Sequence, residues 1–221
     1  MLLHGYLSSK EAFAAQIAYF SRFYRVTAFD FLGQGQSAPL PSAFSVEDYV
    51  RWTEDVFGLL GIVSPCVIAH SFGCRVAVKM AGAGRIPLGK IVLTGPAGVR
   101  LPRKIGYHLK VKAYRLVKRF APRFADKHFG SAEYRSLSPI MRESYKKIVN
   151  EDLRVDAARM QNQVLIIEGR ADEVTPLAEA KAYLDVIQDG RLALIDGGHF
   201  AFAESPLAFN ILVEEFLQDV R

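Results

Sequence analysis

Six short apolar runs bounded by turn residues recur along the chain, at residues 1–3, 26–29, 66–69, 90–94, 164–167 and 192–195. Most lack the polar alternation of a half-exposed strand, which predicts a sheet covered on both faces. Between them, segments with helical periodicity fall at residues 9–22, 46–60, 74–83, 176–187 and 206–220. Several open on capping signals: Ser45 with Glu47 and Asp48 behind it, Thr175 before Pro176, and Ser205 before Pro206. Strand and helix alternate, so the predicted class is α/β with a mainly parallel sheet and helices on both faces.

Residues 100–159 break this rhythm. Residues 104–120 place Ile105, Leu109, Ala113, Leu116, Val117 and Phe120 on one helical face, with Lys110, Lys112, Lys118 and Arg119 off it. Ser138 and Pro139 then start a second helix with Met141, Tyr145, Ile148 and Val149 inward. The expected organisation is a core of residues 1–99 and 160–221 with a helical cap, residues 100–159, inserted between two strands.

Charge sharpens that division. The whole chain carries +5, but the insertion holds sixteen Lys and Arg against six Asp and Glu, +10, and the remainder twelve against seventeen, −5. A strongly basic cap is set in an acidic body. Its charge serves solubility in the simplest reading. It also suits steering of an anionic substrate and transient contact with an anionic membrane surface, whereas no motif accompanies it that would argue for nucleic acid.

With 221 residues, half of them apolar and 23% charged, the chain can bury one substantial core. Two cysteines, Cys66 and Cys74, support neither a disulfide framework nor a zinc site, and read as reduced, buried thiols. The opening MLLHGYLSSK lacks the basic region of a secretory signal, so a cytoplasmic location is expected. Residues 56–74 carry no formal charge, yet contain Pro65, Ser64, His70, Ser71 and three glycines, and read as helix end, turn, buried strand and turn rather than a membrane span.

Two segments imitate nucleotide-binding motifs. Gly33-Gln-Gly35-Gln-Ser-Ala38 matches G-x-G-x-x-A, but Pro39, Leu40 and Pro41 follow where a helix must open to hold a pyrophosphate. Gly84 to Lys90 imitates a P-loop, but Ile91 stands where a magnesium-binding Ser or Thr is needed. No cofactor is expected from either, and no metal site.

Chemistry gathers elsewhere. Ala69-His70-Ser71-Phe72-Gly73 follows a buried strand and precedes a helix, the setting of a nucleophile elbow, with Ala69 in place of the usual first glycine. A serine hydroxyl needs a base, and the base an orienting carboxylate. Asp172, in Gly169-Arg-Ala-Asp172-Glu-Val-Thr-Pro176, and His199, in Asp196-Gly-Gly-His199-Phe, follow in that chain order, each after a strand. Glu168 and Glu173 are alternative acids, Glu168 the main rival. Asp196 is read as fixing its loop or solvated, His4, His70 and Asp30 as structural, Cys74 as packing, and His108 and His128 as exposed.

These segments, with Leu2-Leu3-His4-Gly5-Tyr6 and Asp30-Phe-Leu-Gly33-Gln-Gly35-Gln-Ser37, resemble the α/β-hydrolase fold superfamily over nearly the whole chain apart from the cap. The resemblance implies Ser71 as nucleophile, His199 as general base and acid, Asp172 as its orienter, and the backbone N–H groups of Tyr6 and Phe72 as the oxyanion hole. It implies a serine hydrolase of the carboxylesterase or thioesterase kind, acting on a small ester or thioester. Other users of the triad are carbon–carbon hydrolases and perhydrolases, and a ligand-binding protein without turnover is the non-enzymatic alternative. Phe200 and Phe202, beside the histidine, are expected to line an apolar acyl pocket.

The family's usual first two strands are absent ahead of Met1. Either the chain is a minimal version or its true start lies upstream. Residues 26–30 should then form a sheet edge with unpaired backbone groups, which predicts edge pairing into a homodimer or reduced stability.

Overall fold

A computed structural model of the chain describes residues 1–101 and 137–219. Five strands, β1 (Leu2–Leu3), β2 (Val67–His70), β3 (Ile91–Thr94), β4 (Gln163–Gly169) and β5 (Asp189–Ile195), pair in that order, all parallel. A 3-10 turn at Lys10–Phe13 leads into α1 (Ala14–Phe20), followed by α2 (Val46–Leu59), α3 (Phe72–Ala83), α4 (Pro139–Val149), α5 (Arg154–Ala157), α6 (Leu177–Leu184), α7 (Ala201–Glu204) and α8 (Pro206–Gln218).

The caps behave as their chemistry dictates. Ser45 Oγ accepts from the Asp48 N–H at 3.3 Å while Asp48 Oδ2 accepts from the Ser45 N–H at 2.7 Å, a complete capping box at the start of α2. Ser138 caps α4 from the Met141 N–H, with Pro139 in the first turn, where its missing donor costs nothing.

Successive residues of the strands supply opposite faces. Val67, Ala69, Ile91, Leu93, Val164 and Ile166 pack into one core beneath α2, α3 and α6. Ile68, Val92, Leu165 and Ile167 pack into the other with Phe20 of α1 and Phe209, Val213 and Phe216 of α8. Covering both faces is what allows the strands to be apolar at every position. The uncharged stretch 56–74 runs from the end of α2 through β2 into α3, and among the described residues no helix is long and apolar enough to cross a membrane.

Three expectations need correction or placement. Residues 26–29 do not form a strand. Only an isolated bridge joins Ala28 to Leu2, with the Leu2 N–H donating to Thr27 at 2.9 Å, because among the described residues this segment has a neighbour on one side only. Cys66 is exposed, since it sits in the turn before β2 rather than in the strand; Cys74 is buried, as expected. The amphipathic helix expected at residues 104–120 lies outside the described residues, as do His108 and His128. The second cap helix is present as α4, with Met141 and Ile148 buried and Tyr145 and Val149 partly so. Neither nucleotide-motif imitation precedes a helix: Gly33 and Gly35 lie in a turn tied by Asp30, and Gly84 ends α3.

Candidate functional site

In a parallel sheet the loops leaving the strands' C-terminal ends share one rim. Here that rim gathers the Gly5-Tyr6 loop after β1, Ser71 after β2, Asp172 after β4 and His199 after β5.

Ser71 joins β2 directly to α3 with φ 49° and ψ −107°, one of three non-glycine residues at positive φ among the described residues. Such a conformation costs on the order of 1–3 kcal/mol and survives only where its surroundings impose it. They do so through the Ser71 N–H, which donates to Thr94 at 3.1 Å, and through Gly73, which lets α3 pass against β1. A Cβ on Gly73 would stand 2.2 Å from the Leu3 carbonyl oxygen. Phe72 opens α3, so its N–H has no intrahelical acceptor. Its ring packs 5.4 Å from that of Tyr6, which brings the two expected oxyanion donors' chain segments together.

The Tyr6 loop is held from behind. The Phe31 N–H donates to His4 Nε2 at 3.0 Å, so His4 Nδ1 carries the hydrogen it gives to the Gly5 carbonyl at 2.7 Å. The Leu7 N–H donates to Gln34 Oε1 at 2.7 Å. Asp30 accepts from the N–H groups of Lys10 and Gln36 and ties its own turn. Both residues are structural, as the sequence suggested.

His199 Nδ1 lies 2.8 Å from Asp172 Oδ2. Asp172 also accepts from the Thr175 hydroxyl at 3.0 Å and from the N–H groups of Val174 and Thr175 at 2.8 and 3.0 Å. Burial works to raise its pKa, but the hydrogen bonds from His199, Thr175 and Val174 outweigh it, and the carboxyl titrates below the usual carboxylate range. Gly95, at φ +51°, leaves room for the pair: a Cβ there would meet both Asp172 Oδ2 and His199 Nδ1 at 3.2 Å. His70 Nε2 donates to the His199 carbonyl at 2.9 Å with the two rings 4.7 Å apart. Burial, then the neighbouring His199, push His70 down to about 3, so it stays neutral and positions without titrating at working pH.

The rival acids are elsewhere. Glu173 is exposed, and Asp196, with its side chain 91% exposed, pairs with Arg170. Glu168 is fully buried on β4, and burial, followed by the charge of Asp172, pushes its pKa up to about 8. A buried carboxyl that stays protonated makes stability depend on pH. Between its ordinary value of 4.5 and about 8 the unfolded chain has released this proton and the folded chain has kept it, so stability falls as pH rises through that window. Glu168→Gln should remove that fall. In urea unfolding from pH 5 to 8 the variant is expected to gain about 2 kcal/mol on wild type. The wild-type-minus-variant difference is the quantity to follow, because His70, with its lowered pKa, works in the opposite direction below pH 6.5.

A cavity of about 420 Å³ opens at Ser71, walled by Tyr6, Phe72, Val174 and, from α4, Tyr145 and Ile148. The expected pocket residues are not among its walls. Phe202 is fully buried in the core against Phe13 and Phe209, with its ring 4.8 Å from that of His70. Phe200, 43% exposed, packs beside the rings of His70 and His199. Two residues of the site escaped the sequence reading. Thr175, taken only as a helix cap, bonds Asp172 and lies 3.1 Å from His199 Nδ1. Arg75 lines the cavity; its one legible signal was its position a helical turn after Ser71.

Comparison with known proteins agrees with this architecture. A 2-hydroxymuconate semialdehyde hydrolase of Pseudomonas putida is 28% identical over 220 aligned residues, covering 88% of this chain and 77% of that protein. A meta-cleavage product hydrolase from Pseudomonas fluorescens superposes with a TM-score of 0.75 at 25% identity, over 98% of this chain and 89% of that one. An esterase from Exiguobacterium antarcticum, at 19% identity, shares the fold with a TM-score of 0.78 over 99% of this chain and 91% of its own. The alpha/beta hydrolase family model matches residues 1–210, and this chain, a parallel α/β sheet with a serine elbow on its rim, belongs to that family.

Proposed function

We propose that the protein is a serine hydrolase acting on a carboxylic ester or thioester. The observation that carries this reading is the His199 Nδ1 contact with Asp172 at 2.8 Å on the same rim as the strained Ser71 elbow. Ser71 Oγ attacks the carbonyl carbon as His199 Nε2 takes its proton, and the oxyanion is received by the N–H groups of Tyr6 and Phe72. The carbonyl re-forms, the carbon–oxygen or carbon–sulfur bond breaks, and the leaving group departs with the proton from His199. Water, deprotonated by His199, then attacks the acyl-enzyme and releases the acid. Asp172, ionised throughout, holds the imidazole tautomer and balances the imidazolium. The chemistry draws on no cofactor. α4 closes one wall of the cavity.

A second reading follows from the relatives: hydrolysis of 2-hydroxymuconate semialdehyde or another meta-cleavage product, as the Pseudomonas proteins' names state of them, carried out here by Ser71, His199 and Asp172. A fluorophosphonate probe tests the common element, and labelling of Ser71 in wild type but not in Ser71→Ala is expected. An ester and thioester panel run beside a meta-cleavage product separates the two readings. A folded protein that takes no label and turns over none of these would be a binding protein instead.

A further inference from the structure

Arg75 lies one helical turn beyond Ser71 on α3, is 8% exposed, and lines the cavity that opens at Ser71. Its Nη1 donates to the carbonyls of Ile148 at 2.9 Å and Glu151 at 3.0 Å. Among the described residues Nε and Nη2 donate to nothing, and no carboxylate forms an ion pair with it. Burial lowers its pKa, and the charges of Glu179 and Glu151, which form no ion pair with it, offset this only in part.

The other charges of the cavity do not cancel it. Arg100, exposed at the rim, adds a second cation. Glu179, on α6, is the one carboxylate among the cavity's described walls; burial raises its pKa while the charge of Arg75 works to lower it, and the two form no ion pair. A cavity of mixed polar and apolar lining that holds both a serine and a guanidinium without an ion pair suits a molecule with a carbonyl and an anion.

We infer that Arg75 is the specificity-determining group of this cavity and that the substrate carries a carboxylate at the far end of its acyl chain. Ser71 and Arg75 line one cavity of about 420 Å³, which has room for an acyl chain of about six carbons. This inference rests on the serine-hydrolase reading of Ser71. It is distinct from steering by the basic cap, because it concerns one buried side chain inside the cavity.

The test compares p-nitrophenyl hydrogen adipate with p-nitrophenyl hexanoate, which match in chain length and differ in the terminal carboxylate. Wild type should favour the charged ester by tenfold or more in kcat/KM. Arg75→Gln should bring that ratio to about one, Arg75→Lys should keep part of it, and Glu179→Gln should raise it. If Arg75 only ties α3 to α4 and α5, both esters lose rate equally and the ratio stands, which overturns the proposal. Preference for hexanoate in wild type overturns it as well. Should Arg75→Gln fail to fold, the wild-type ratio and its rise in Glu179→Gln decide. Binding is measured separately, by calorimetry of monobenzyl adipate and benzyl hexanoate with the Ser71→Ala protein, where at least tenfold tighter binding of the charged ligand is expected. Absence of turnover with that binding preference intact would remove the serine-hydrolase reading and leave the anion site standing; equal binding of both ligands would remove the anion site.

Discussion

Ser71→Ala should lower kcat/KM for any ester the protein cleaves by about 10⁴-fold or more while leaving the melting temperature where it was. On the proposed mechanism the size of the loss follows from Ser71, His199 and Asp172 acting as a unit: without the attacking oxygen the other two have nothing to activate, and only binding and oxyanion stabilisation remain. The unchanged stability follows from what the hydroxyl touches. Among the described residues Ser71 makes its fold contact through its backbone N–H, donated to Thr94, and alanine keeps that bond and the same Cβ in the same strained conformation. Paired assays of ester turnover and thermal unfolding check both halves. Turnover within tenfold of wild type would remove Ser71 from the chemistry. A large drop in melting temperature would instead mean that the serine is a structural residue.

The second large effect is expected at Gly73→Ala, and it should strike stability and activity together. The added methyl would meet main-chain atoms only, with Leu3 O at 2.2 Å, Leu3 C at 2.7 Å and His4 O at 2.9 Å. Main chain cannot rotate aside as a side chain can, so α3 must lift from β1. That strand is held to the sheet through just Leu2 opposite Ile68 and Leu3 opposite Ala69, the shortest pairing in the sheet. A cost of about 3 kcal/mol or more is expected in urea unfolding. Because β1 leads into the Gly5-Tyr6 loop and α3 begins at Phe72, the same displacement moves both oxyanion donors, and kcat/KM should fall about 100-fold in the protein that remains folded. Gly58→Ala is the matched control. It lies in α2 with nothing within 4 Å of the new methyl and should gain about 0.5–1 kcal/mol with unchanged activity. Equal stability of Gly73→Ala and wild type would mean that α3 and β1 are not held as closely as described.

Much of the site was legible because its parts are local. A buried strand, a serine and a glycine two residues on are read within a few positions, and the order of Ser71, Asp172 and His199 survives any error in helix ends. His4, Asp30 and Cys74 are structural as read, although their partners include distant segments: Phe31 for His4, Lys10 for Asp30 and Thr94 for Cys74. Failures fell where a residue's surroundings come from distant segments. Phe202 looked like a pocket residue beside the catalytic loop, but it is buried in a core with Phe13 and Phe209. Cys66 looked like the first residue of a strand that starts one position later. Residues 26–29 have the composition of a strand, but a ladder needs a partner, and composition does not supply one.

The sequence by itself determined the alternation of strand and helix, the two-sided burial of the sheet, the sharp turn at Ser71 and the placing of Ser71, Asp172 and His199 each after a strand. Hydrophobic periodicity, capping chemistry and turn residues act over short stretches of chain, so they can be read from it. Only the tertiary structure decided which carboxylate reaches His199, that Glu168 nearby is buried with its pKa raised, and that Arg75 lines the cavity without an ion pair among the described residues. Desolvation and ion pairing depend on which remote segments close around a charge, and residues 75, 148, 151 and 179 come together only when α3, α4, the turn before α5 and α6 pack on one face of the sheet.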